Sequence, residues 1–146
     1  MSMEFRYQSV PVDDADIDAV ENRFGFKFPD DLRATYKGSN GGRPIRDRLV
    51  YDHVTSVVDA FLPIKHSSSA LSTMERSIQR LKIDQRLLHE HLVPFAIDPF
   101  GSYFCFSLRE CEYGAIYMFR MELWEEPDKA AKLLASSLTD FLARLM

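Results

Sequence analysis

The chain has 146 residues, which is room for one hydrophobic core, and its 46% hydrophobic content is ordinary for a globular protein. Acidic side chains outnumber basic ones 22 to 18, whereas nucleic-acid binding begins with a basic stripe, and here Arg43, Arg46 and Arg48 make only a short one. No apolar run reaches membrane-spanning length, no signal-peptide core is visible, and Cys105 and Cys111 are too few for a disulfide framework, so a reducing cytoplasm is the expected location.

Val12, Ala15, Val20 and Phe24 are spaced for one helical face, with Asp13 or Asp14 as N-cap and Gly25 as the left-handed stop. Pro29, Asp30 and Asp31 start a second helix carrying Leu32 and Tyr36, and Gly38-Ser39-Asn40-Gly41-Gly42 turns sharply after it. Leu49 to Ile64, rich in Val, Tyr and Phe, predicts one or two short strands. A serine-rich stretch then leads into a helix whose buried face is Leu71, Met74, Ile78 and Leu81, with a further helical turn over 84–91. Leu92–Asp98, Tyr103–Leu108 and Ala115–Phe119 read as an antiparallel meander, turned by Pro99-Phe100-Gly101 and by an acidic turn from Arg109 to Tyr113. A closing helix is predicted from about Asp128, with Leu134, Leu138, Phe141 and Leu145 as its stripe. The expected fold class is α+β: an antiparallel sheet with its central meander over about 92–119, packed with N-terminal, middle and C-terminal helices. It is expected to form a single domain over 1–146.

Two segments in this order resemble the SUKH superfamily, which includes the yeast cell-wall-synthesis regulator family. The first is Glu21-x2-Phe24-Gly25-x2-Phe28-Pro29-x2-Leu32-x7-Asn40-Gly41-Gly42. The second is Val93-Pro94-Phe95-Ala96-x-Asp98-x2-Gly101-x2-Phe104-Cys105-Phe106, followed by Gly114-Ala115-Ile116-Tyr117. Phe28 stands where a leucine is usual, and the aromatic-then-His element after the third strand is replaced by Phe119-Arg120-Met121-Glu122. The resemblance implies a protein-binding role without catalytic residues or cofactor. Bacterial members look like immunity proteins that occlude a toxin, often a nuclease encoded nearby, and eukaryotic members look like interaction hubs. The expectation is therefore an immunity protein, with a regulatory scaffold as the alternative and a small hydrolase as a distant one. The motif residues Glu21, Gly25, Pro29, Asn40, Gly41, Gly42, Pro94, Phe95, Asp98 and Gly101 are expected to be structural.

His89-Glu90-His91 with Cys105 and Cys111 lacks the tight Cys pair and His spacing of a zinc site, so packing and helix-end roles are expected. His66 with Ser67, Ser68 and Ser69 has hydrolase residue types but no Gly-x-Ser-x-Gly, and serines before a helix more often cap it. Asp98 beside a glycine turn more often bonds that turn's amides than acts as a base. The Gly38–Arg43 loop lacks a P-loop ending. Acidic side chains cluster twice, at Asp13, Asp14, Asp16, Asp18 and Glu21, and at Glu110, Glu112, Glu122, Glu125, Glu126 and Asp128. The second cluster lies near Tyr113, Tyr117 and Trp124, which makes it the candidate surface for a basic protein partner.

Overall fold

A computed structural model describes residues 3–67 and 71–146. Helix α1 (Asp14–Phe24) starts at Asp13, whose carboxylate accepts the Asp16 amide while Asp16 reaches back to the Asp13 amide. Its buried face is Ile17, Val20 and Glu21, and Ala15 is exposed. Val12 precedes the cap, so counting the helical phase from it places Ala15 wrongly. Gly25 ends α1 at φ 73°, and α2 (Asp30–Gly38) follows directly after Pro29.

The N-terminal β1 (Phe5–Arg6) pairs with β2 (Arg43–Pro44) just beyond the glycine loop. The segment to Ile64 holds three strands rather than one or two. These are β3 (Arg48–Tyr51) and β4 (Val54–Val57), paired as a hairpin, and β5 (Ala60–Phe61). The middle helix α3 (Met74–Ile78) is capped by Thr73 and widens into a π-type stretch over Gln79–Asp84. The cap is thus a threonine rather than a serine, and half-buried Leu71 lies outside the helix. Beyond Asp84 the chain turns without the expected extra helical turn.

The meander forms as its spacing predicts: β6 (Leu92–Ile97), β7 (Tyr103–Ser107) and β8 (Ile116–Phe119), antiparallel throughout. The principal sheet is wider, running β5-β6-β7-β8-β9. Its last strand, β9 (Ala131–Ala135), lies where the closing helix was expected. That helix is divided into a short α4 (Pro127–Ala130), the strand, and α5 (Leu138–Arg144). Leu134, Leu138, Phe141 and Leu145 are all buried, but from two elements and a tail. Backbone pairing with the free edge of β8 outweighs the helical propensity of Ala-Lys-Leu-Leu-Ala.

One sheet face packs on the α1–α2 turn and α5 through Phe28, Phe95, Phe104, Phe106 and Phe141, with ring centroids 5.5–6.3 Å apart, and Tyr36 of α2 donates to the Phe95 carbonyl. On the other face Lys82 donates to the carbonyls of Glu90 and Leu92, tying the π-type stretch to β6. No helix among the described residues is long and apolar enough to cross a membrane.

Candidate protein-binding surface

The motif residues build the scaffold that carries any surface. Glu21 is 5% exposed, and its carboxylate accepts the Phe28 amide at 2.7 Å beside Arg33 and Lys27. It thereby locks the turn between α1 and α2. Gly114, at φ 87°, lies against the Pro29 ring. Asn40 is 2% exposed and imitates a peptide group: it donates to Val10 and Ile64 carbonyls and accepts the Ile64 amide. A side chain on Gly41 would press on Phe61 and Pro63 backbone, and one on Gly42 would overlap the Arg6 carbonyl. Pro94 lies beyond the part of β6 that β5 pairs, at an irregularity in the β6–β7 ladder, and Phe95 fills the core there.

Asp98 and Gly101 shape the β6–β7 turn. One Asp98 oxygen accepts the amides of Phe100 (3.0 Å) and Ser102 (2.7 Å), as turn chemistry predicts. Burial pushes its carboxyl above the ordinary value, although these amides pull the other way. Ser102 in turn accepts the Met121 amide, joining this turn to the β8–β9 connection.

The candidate surface residues divide between the two ends of β8. At one end, Glu110 and Glu112 occupy a tight turn between β7 and β8. Tyr113 donates to the Lys27 carbonyl, and Tyr117 donates to Glu112 at 2.8 Å. Burial and this bond push the Tyr117 hydroxyl up to about 12. Two of the three aromatic candidates are therefore hydrogen-bonded within the protein, although Tyr113 is still 43% exposed, and Glu110 is exposed beside it.

At the other end, Glu122, Trp124, Glu125 and Glu126 are exposed along the β8–β9 connection. Glu126 pairs with Lys129 at 3.0 Å, whereas Glu122, Glu125 and Asp128 have no ion-pair partner among the described residues. The N-terminal acids differ: Asp14 and Asp18 bind Arg33, Asp14 also binds Lys37, and Asp16 binds Lys65.

The family model of the SMI1 / KNR4 family (SUKH-1) matches residues 11–144. The chain belongs to this family. No curated protein matches it. The matched span contains both motifs and all five strands of the principal sheet, so the residues that signal the SUKH-1 family in the sequence are those that hold its turns.

The remaining constellations take structural places within this SUKH-1 scaffold. His89 and His91 lie in the turn before β6, not on a helix end, and their rings sit side by side at 5.2 Å. Cys105 is buried, which raises its thiol well above the ordinary value, and Cys111 is exposed. No metal-holding group of His, Cys, Asp or Glu occurs among the described residues. The His66 carbonyl accepts the Ser9 hydroxyl, while Ser68 and Ser69 lie outside the described residues. Arg43 of the short basic stripe pairs with Asp47 and Asp59. Sequence reasoning passed over Phe100, which is 92% exposed, and Asp52 and Val54 at the β3–β4 tip. The Pro-Phe-Gly string was a readable signal, since a residue at such a turn tip has nothing to pack on.

Proposed function

We propose that this SUKH-1 protein acts as a cytoplasmic, single-domain immunity protein. In this reading it binds one toxin with a basic surface, typically a nuclease encoded nearby, and neutralises it by covering it without chemistry of its own. Membership of the SMI1 / KNR4 family carries the reading, because the resemblance implies protein binding. Glu122, Glu125 and Asp128, without ion-pair partners among the described residues, support a cationic partner, since free carboxylates make the local potential more negative.

Co-expression with the product of the adjacent reading frame tests the proposal. A stable one-to-one complex, together with restored growth of cells expressing that product, is expected. Absence of both complex and protection overturns it.

A further inference from the structure

In an antiparallel meander the β6–β7 turn and the β8–β9 connection emerge at the same end of the sheet, and the Tyr103↔Phe119 register places them level. Two strand spacings put their centres about 10 Å apart. The β3–β4 tip joins them, because Asp52 pairs with Lys132 of β9. Three loops thus form one surface that carries Phe100 at 92% exposure, Val54 at 51% and Trp124 at 47%. Phe100 is the most exposed large apolar side chain among the described residues.

The rings stand on braced backbone. The Phe100 amide is held by Asp98, and the Ser102 hydroxyl ties the neighbouring loop at Met121. Ordered backbone lowers the freedom lost on binding, and large aromatic side chains are the usual interface anchors. Glu122, Glu125 and Asp128 lie exposed on the same connection as Trp124 and have no ion-pair partner among the described residues.

We propose that Phe100 and Trp124, at the end of the sheet that also carries these carboxylates, are the anchors of a docking surface for a basic protein. Charge selects the occupant. Nucleic acid and anionic lipid would bring phosphates against carboxylates, and a second copy would bring acid against acid. A cationic protein surface meets both the apolar centre and the charged rim. The inference rests on the protein-binding role proposed above, and it assigns that role to this end of the sheet rather than to the Glu110–Tyr113 end.

The purified product of the adjacent reading frame is the probe, titrated against wild type, Phe100→Ser, Trp124→Ala, their double variant and Tyr113→Ala. Phe100→Ser removes an exposed side chain, so an unchanged thermal melt certifies its fold. Wild-type binding that falls roughly 30-fold or more in the double variant, with little change in Tyr113→Ala, supports the surface. Wild-type binding that the double variant retains overturns the surface and leaves the protein-binding role standing. Failure of wild type to bind overturns both. Self-association in sedimentation that Phe100→Ser abolishes would assign the surface to a second copy instead.

Discussion

Asp98 separates a structural from a chemical reading at a single side chain. Its carboxylate is spent on two backbone amides, one of them buried with Ser102. Asp98→Asn keeps an oxygen acceptor for both amides, so the turn should survive. Asp98→Ala leaves both donors bare and should cost about 1–3 kcal/mol. The pH dependence has a definite sign. Because burial raises the folded-state value, the native protein binds more protons than the unfolded chain between the ordinary and the raised value. Stability from this group therefore falls as pH rises through that window and is fully present below it. Asp98→Asn should remove that slope, which urea titrations over a pH series would show; an unchanged slope would place its origin elsewhere. The brace is readable in the sequence because Asp-x-x-Gly turn chemistry is local. The Glu21 contact with the Phe28 amide is not, because it crosses a turn whose closure depends on how α1 and α2 pack.

Elements were legible where their determinants are local. β6, β7 and β8 follow from turns between β-rich runs, α1 from its capping box and glycine stop, and α2 from Pro29 with the acidic first turn after it. The end of the chain was not, because a helical period and a strand followed by a helix bury the same four apolar residues. Ser137 distinguishes the two arrangements. Its hydroxyl accepts the Asp140 amide at 3.0 Å, and Asp140 reaches back to the Ser136 amide, so Ser137 starts α5. In an unbroken helix from Asp128 the same serine would be interior, where alanine is the better former. Ser137→Ala should therefore destabilise by about 1 kcal/mol as a lost cap. A stabilised variant in thermal or urea unfolding would instead indicate the continuous helix.

At the scale of the molecule, the fold redistributes what the sequence presents as two acidic blocks. The N-terminal block lies against Arg33, Lys37 and Lys65, and its charge is spent locally. The second block is cut by β8, whose length holds Glu110 away from Glu122 and Glu125. Neighbours in sequence are thus not neighbours in space, and Glu122, Glu125 and Asp128 are left exposed on the β8–β9 connection without ion-pair partners among the described residues. Their field should act on encounter more than on the final contact, since steering works before the rings seat. Glu122→Lys with Glu125→Lys should slow association with a basic partner about 10-fold at low salt, and should flatten the dependence of the rate on ionic strength. Asp18→Asn, whose carboxylate already faces Arg33, should leave the rate nearly unchanged. Glu110→Lys at the opposite end should do the same. Stopped-flow association at two ionic strengths decides between these outcomes. Slowing that tracks only the size of each variant's charge change, wherever that change sits, would mean that only net charge matters and that this end of the sheet does not orient the approach.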